Sequence, residues 1–270
     1  NEDLSRQVDT SDEWITTRTG IRQRYYCTES EDAATLAIAA ARQALARSGL
    51  AASEIACCVA ATLSAPTATP SVACRVQAAL GLPENRPAFD VNAACSGFIY
   101  AIAAAHGLLN TLGGRYALVI GCEALSRMVD PTDRTTCVLF GDGAGAAILE
   151  LAEDVPFAVT LGARGSEASR VGGPAACDTA PITMDGKAVF RFAVETMPRC
   201  LQTVLERSQK TLADLDWVVC HQANSRIIDH CIKHLHAEPS KFYKNMDRHG
   251  NTSAASIPIA LHEMVENDLL

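Results

Sequence analysis

The chain has 270 residues, 48% of them hydrophobic and 20% charged, which fits one large folded domain or two ordinary ones and excludes a disordered chain. Its 23 Lys and Arg against 31 Asp and Glu leave a charge of −8, which argues against broad attraction to nucleic acid or an anionic membrane. The 11 cysteines lack framework spacing and no apolar N-terminal segment precedes them, so they read as free thiols in a reducing cytoplasm. No uninterrupted apolar run reads as approaching the roughly 18 residues a membrane span needs.

The opening 30 residues are polar, with the cluster Thr10-Ser11-Asp12-Glu13-Trp14. Ala34, Ala37, Ile38, Ala41 and Leu45 recur at helical spacing, and Gly49 ends that helix. Ile55 to Thr62 is apolar without alternation, as in a strand buried on both faces. A helix over Ser71 to Leu80, a short strand at Ala88 to Val91, a very apolar helix over Ser96 to Leu109 and a buried strand at Tyr116 to Ile120 follow. Gly141-Asp142-Gly143-Ala144-Gly145 reads as a tight turn before a strand from Ala146 to Leu151. It lacks the Lys-Ser/Thr of a phosphate loop and the third glycine of a dinucleotide fingerprint. Leu161 to Ala180, rich in small residues and without period, reads as a long loop.

A helix over Phe190 to Ser208 comes next, and Pro198 within it predicts a kink or a late start. Then come a strand at Trp217 to Cys220, a helix from Ser225 to Leu235, the short run Phe242-Tyr243, the turn His249-Gly250-Asn251 and a last helix. Strand, helix, short strand, tight turn and apolar helix thus recur about 160 residues apart, which a duplicated unit explains. The alternation of strands and helices predicts an α/β fold on buried sheets. The expected halves are residues 1–155 and 156–270.

The duplication places unusual residues at matching points. Cys95, in Asn92-Ala93-Ala94-Cys95-Ser96-Gly97, joins a strand to a buried helix, where peptide dipoles favour a thiolate. Position alone leaves it between a nucleophile and an inert packing thiol. His221 stands at a strand end, where open α/β sheets bind ligands, although a lone histidine there is also an ordinary core residue. Asn251 sits in the counterpart turn, where Thr252 or Ser253 could equally form a plain helix cap. A thiol with two polar donors suits covalent acyl transfer. His230 and His234 are four apart on a helix, but no Glu follows His230, and they read as a solvated face with no metal.

At these residues the chain resembles β-ketoacyl-acyl-carrier-protein synthase III, the initiating condensing enzyme of bacterial fatty acid synthesis. The resemblance rests on Asn92-Ala93-Ala94-Cys95-Ser96-Gly97-Phe98, His221-Gln222-Ala223-Asn224 and Asp247-Arg248-His249-Gly250-Asn251-Thr252-Ser253-Ala254-Ala255-Ser256. It extends to Asp9-Thr10-Ser11-Asp12-Glu13-Trp14, Asp130-Pro131-Thr132-Asp133-Arg134 and Phe140-Gly141-Asp142-Gly143-Ala144-Gly145-Ala146. It implies a thiolase-like α/β fold, a duplicated α/β unit in five layers (αβαβα), and a homodimer.

The resemblance also implies roles. Cys95 takes an acyl group from acyl-CoA, and His221 and Asn251 bind the thioester oxygen of malonyl-acyl carrier protein as carbon dioxide leaves. Trp14, Arg18 and Arg134 would bind coenzyme A, and Arg191, Arg226 and Lys233 would dock the acidic carrier protein. Thr69 and Phe140 would line the acyl pocket. Thr69 stands where some acetyl-preferring members carry Phe, so a longer or branched primer is expected. No metal or redox cofactor is implied. A pathway-specific enzyme that primes a polyketide, or transfers an acyl group without condensing, would share these residues.

The family's first strand precedes Asn1 and its closing strands follow Leu270 by about 40 residues, so these elements are expected to be absent. A protein of these 270 residues alone is expected to fold poorly.

Overall fold

A computed structural model describes residues 1–153, 155–166, 168–170 and 180–270. Much of the expected loop over Leu161 to Ala180, namely 167 and 171–179, lies outside the described residues. Two short helices, α1 (Glu2–Ser5) and α2 (Asp12–Thr19), open the chain. The first repeat then runs α3 (Ala33–Ser48), β1 (Ile55–Ala61), α4 (Val72–Leu80), β2 (Ala88–Val91), α5 (Gly97–Leu112), β3 (Tyr116–Ala124) and β4 (Asp142–Glu150). A two-stranded ribbon, β5 (Ser169–Arg170) with β6 (Thr183–Met184), leads to the second repeat. That is α6 (Gly186–Ser208), β7 (Val218–Val219), α7 (Ser225–Leu235), β8 (Phe242–Tyr243), the short helix α8 (Met246–His249) and α9 (Ser256–Glu266).

The first sheet has the order β2-β1-β3-β4, with β4 antiparallel to β3 and the other pairs parallel. Period-two alternation sends each strand's side chains to two faces. From β1, Cys58 and Ala60 meet α3 and α4, whereas Cys57, Val59 and Ala61 meet α5. From β3, Leu118, Ile120 and Cys122 take the α3 side, and Ala117 and Val119 the α5 side. Burial on both faces explains the unbroken apolar runs. The second sheet, β7 parallel to β8, packs on α6 and α7 through Val218, Phe242, Ile228, Cys231 and Met197. Helix α9 touches β4 and β7, so α5 and α9 form the middle layer and the architecture is thiolase-like.

The ends of the elements follow local chemistry. Ser71 caps α4 by accepting Cys74 N–H at 3.1 Å, and Asp90 of β2 accepts Val72 N–H and Ala73 N–H, both at 2.8 Å. Asp32 and Thr35 form a reciprocal capping box on α3. Asn224 caps α7 by accepting Arg226 N–H at 2.9 Å.

Two expectations are corrected. The expected turn at Gly141 to Gly145 is mostly strand, because β4 starts at Asp142. Its glycines leave room for other backbone: a Cβ on Gly145 would lie 2.7 Å from the carbonyl carbon of Pro258, and one on Gly141 2.6 Å from His249 O. Helix α6 starts before Phe190, at Gly186, capped by Asp185 through Lys187 N–H and Ala188 N–H, and Pro198 lies inside it. The stretch Ala94–Leu112, 19 residues, is long and apolar enough to span a membrane by length and composition alone, although Ser96, His106, Asn110 and Thr111 interrupt it. Its stripe of Phe98, Ala101, Ala105 and Leu109 is buried on β1 and β3.

Candidate active site

The two repeats approach each other through a pair of matching turns. Ala94–Ser96 and Ser253–Ala255 are both single 3₁₀ turns, placed just before α5 and α9. Their first residues both occupy the left-handed region, Ala94 at φ 45° and Ser253 at φ 46°. Non-glycine residues held there cost on the order of 1–3 kcal/mol each, so the surrounding packing must fix both bends. The turns touch closely: a Cβ on Gly97 would lie 3.2 Å from Ala254 Cβ.

Cys95 sits in the first turn, partly accessible. Burial and the nearby Glu123 carboxylate push its thiol up to about 11, against smaller lowering by the Ser253 hydroxyl. The expectation of a resting thiolate is therefore corrected. Dipoles at a helix start favour an anion, but here desolvation is larger.

His221 follows β7. Its Nδ1 lies 2.7 Å from Ser256 Oγ, which also accepts Gln222 N–H at 3.1 Å. In the Nε2–H tautomer Ser256 donates to Nδ1 and Nε2–H is left to face a substrate oxygen; in the other tautomer Nδ1–H donates to Ser256 Oγ. Burial pushes its pKa down to about 4, so the ring is neutral at physiological pH and presents one N–H donor. Gln222 fixes the strand end by donating to Cys220 O and Tyr243 O and accepting Asn245 N–H at 2.8 Å.

Asn251 forms a bridge with Phe140, accepting Gly141 N–H at 3.0 Å and donating its own N–H to Leu139 O at 2.9 Å. Its Oδ1 accepts Ser253 N–H at 3.0 Å. Neither Thr252 nor Ser253 caps a helix through its side chain, and the Asn251 amide NH₂ stays uncommitted among the described residues. The preceding Gly250, at φ 69°, has no room for a Cβ between Arg24 Cβ and Leu139 O. Glu263 of α9 braces the turn from below, accepting from Asn245 at 2.7 Å, His249 Nε2 at 2.7 Å and Arg248 at 3.0 Å.

Asn251 is tied to the second turn through Ser253 N–H and His221 to the start of α9 through Ser256, and the turn of Cys95 packs against the second turn. A groove of 760 Å³ between α3, β4 and α9 includes none of the three.

The remaining expected residues fall into separate places. Arg18 and Arg134 stand over the Trp14 ring at 4.7 and 5.1 Å, so the proposed coenzyme A residues form one cluster. Arg134 also donates to Asp9 O at 2.6 Å. Arg226 of α7 lies 5.6 Å from the Phe190 ring of α6, next to exposed Arg191, and exposed Lys233 follows two turns along α7. Phe140 is buried against Leu125 and Ile182 beside Asn251, whereas Thr69 is exposed on the loop after β1, apart from it. Among the described residues no cluster suited to a metal ion occurs, and the ten described cysteines are free.

Sequence reasoning assigned no role to Ser253, Ser256, Gln222 or Glu123. A signal for the last existed: Glu123 is the one charge in the apolar run Tyr116 to Ala124.

Duplicated α/β units that meet through a pair of matching turns define the class, an α/β protein of thiolase-like fold. Comparison with known proteins specifies it. The family described as 3-Oxoacyl-[acyl-carrier-protein (ACP)] synthase III matches residues 89–165, and its C-terminal counterpart matches 205–270. The chain is 46% identical to the Beta-ketoacyl-[acyl-carrier-protein] synthase III of Neisseria meningitidis over 269 residues, covering 97% of this chain and 84% of that one. It is also 46% identical to the enzyme of that name from Erythrobacter litoralis, covering 99% and 86%. The crystal structure of 3-oxoacyl-[acyl-carrier-protein] synthase III from Aquifex aeolicus superposes with TM-score 0.93 at 42% identity, over 100% of this chain and 87% of that one. The priming β-ketosynthase of the R1128 polyketide pathway does so with TM-score 0.91 at 32% identity, over 100% and 84%. The chain belongs to the β-ketoacyl-[acyl-carrier-protein] synthase III family, the initiating condensing enzymes of fatty acid synthesis.

Proposed function

We propose that the chain joins an acyl-CoA primer to malonyl-acyl carrier protein, with Cys95 as the nucleophile and His221 and Asn251 as the hydrogen-bond donors. What supports this most directly is that Asn251 is anchored on the turn that packs against the turn of Cys95, and His221 on Ser256 at the helix start that follows it. In acylation, Cys95 Sγ bonds to the acyl carbon and the carbon–sulfur bond to coenzyme A breaks. In condensation, the two donors hold the malonyl thioester oxygen while the carboxylate leaves as carbon dioxide. Charge moves onto that oxygen, and fixed donors in a site away from water stabilise it; losing one costs about 10²–10³ in rate. The enolate carbon then attacks the Cys95 thioester. Decarboxylation itself generates the carbanion, so the reaction needs neither a metal nor a redox cofactor.

In this reading residues 1–155 carry the nucleophile and 156–270 the donors. Trp14, Arg18 and Arg134 hold coenzyme A, and Arg191, Arg226 and Lys233 attract an acidic carrier protein to a chain of the same sign. Phe140 borders the acyl pocket, and Thr69 reaches that of a second subunit in a cytoplasmic homodimer.

Intact mass after incubation with an acyl-CoA tests the nucleophile. The wild type should gain one acyl group and Cys95→Ala none; an adduct that survives in the variant overturns the assignment.

A further inference from the structure

Gln222 stands between His221 and the cap of α7, and it is 0% exposed. A buried amide must find partners for its donors and its acceptor, and this one does. Its Nε2 donates to Cys220 O at 2.9 Å and to Tyr243 O at 3.1 Å, and its Oε1 accepts Asn245 N–H at 2.8 Å. The partners fix which end is which. Turned over, the amide would set its oxygen against two carbonyls and its NH₂ against an N–H.

These bonds lie where the second sheet stops. Val219 and Tyr243 form the last rung between β7 and β8. Beyond it the side chain of Gln222 supplies one more rung. It pairs with the carbonyl of Tyr243 and the N–H of Asn245, the two groups on either side of Lys244 that a parallel neighbour would use. The third bond, to Cys220 O, ties the amide to its own strand end. The backbone N–H of Gln222 is committed too, to Ser256 Oγ, the atom that holds the His221 ring.

The two strand ends lead to the two expected donors. His221 immediately precedes Gln222. Asn245 opens α8, which runs to His249, two residues short of Asn251. Asn251 has anchors of its own at Leu139 and Gly141, and Asn245 has one at Glu263. Gln222 joins the His221 strand end to that frame.

We propose that Gln222 is a positioning residue for condensation, its side-chain amide setting the distance between His221 and Asn251. Fully buried, it acts through its neighbours and not on substrate. Two donors stabilise charge on one oxygen only when both reach it at about 2.7–3.1 Å, so a slip of His221 against Asn251 leaves one bond too long. A misplacement of about 1 Å, caused away from the chemistry, can cost about 10²-fold in rate. Cys95 belongs to the first repeat, on the turn before α5, and no side-chain bond of Gln222 reaches it. Loss of the amide therefore acts on one half-reaction and spares the other.

The inference rests on His221 and Asn251 being the donors, and the experiment keeps the two apart. Acylation of Cys95 from acyl-CoA is followed by intact mass. Malonyl-dependent carbon dioxide release is then measured per acylated chain, so that unfolded material does not count. Gln222→Glu keeps the shape but cannot donate to both carbonyls; Gln222→Met keeps the length and serves if the Glu variant does not fold. Either should lower kcat for release by about 10- to 100-fold, while KM for malonyl-acyl carrier protein and the acylation rate stay within about threefold. Release within threefold of wild type, a rise in KM in place of the fall in kcat, or acylation reduced as much as release would each overturn the positioning role. His221→Ala is run beside them. If it slows release and the Gln222 variants do not, the positioning role alone falls. If it releases carbon dioxide at the wild-type rate, the donor assignment falls and the positioning role with it.

Discussion

His221 Nδ1 and Ser256 Oγ are 2.7 Å apart, so a serine on the last helix orients the ring of a strand-end histidine. Removing it should loosen that ring. Ser256→Ala should lower malonyl-dependent carbon dioxide release by about 10–100-fold while acylation of Cys95 stays within about threefold, as is typical when an orienting partner of a functional histidine is lost. Parallel measurement of the adduct and of carbon dioxide checks this, and equal loss of both would contradict it.

The same histidine sets an acid limit. Burial holds His221 near 4 instead of 6.5, so it stays a neutral donor across the physiological range. Malonyl consumption by enzyme already acylated on Cys95 should show no inflection near pH 6.5 and fall only toward pH 4. A single-turnover pH profile measures this; an inflection between 6 and 7 assigned to His221 by its loss in His221→Gln would refute the neutral assignment.

Close backbone packing makes Gly121 intolerant. An added methyl would meet Ala254 O at 2.2 Å and Ala255 Cα at 3.1 Å. Gly121→Ala should destabilise the fold by about 1–3 kcal/mol or more by overpacking, and displace the turn that carries Ser253. Thermal or denaturant unfolding reads the first effect, and the acylation rate of folded material the second.

Glu263 ties Asn245, Arg248 and His249 beneath the Asn251 turn, and these partners hold its carboxyl down at about 2, below its ordinary 4.5. Its folded value lies below its unfolded one, so its stabilisation is present above pH 4.5 and lost as pH falls through 2. Solvent screens part of this partly exposed network. Glu263→Gln should therefore cost about 1–2 kcal/mol at pH 7, with the difference shrinking steadily below pH 4.5 in denaturant melts.

In the proposed reading Thr69 borders an acyl pocket, and a Thr leaves volume there that a Phe would fill. An acyl-CoA chain-length series should show the wild type accepting primers longer or more branched than acetyl, and Thr69→Phe should shift preference toward acetyl by about tenfold or more. Strict acetyl preference in the wild type would dispose of the idea.

Much of this architecture could be read in the sequence because it is local. Ser225 and Leu235 are where capping chemistry and apolar period said α7 begins and ends, and the repeated element order gave the duplication. What escaped depends on contacts distant in sequence. The glycines of Gly141 to Gly145 look like a turn until α9 and His249 are seen pressing on them. Cys95 looks like a thiolate at a helix start until its desolvation is weighed. Glu123 looks like an accident in an apolar strand until the turn from the other half arrives beside it. In each case the second repeat supplies the missing information.

The near-contact of Gly121 and Gly97 with Ala254 has a consequence for the life of the chain in the cell. The thiol emerges from the ribosome well before the serine, asparagine and histidine that complete its surroundings. Until the later half docks on β3 and α5, the turn that carries Cys95 lacks the wall that Ala254 supplies, so the site proposed for it is assembled only when the later half is in place.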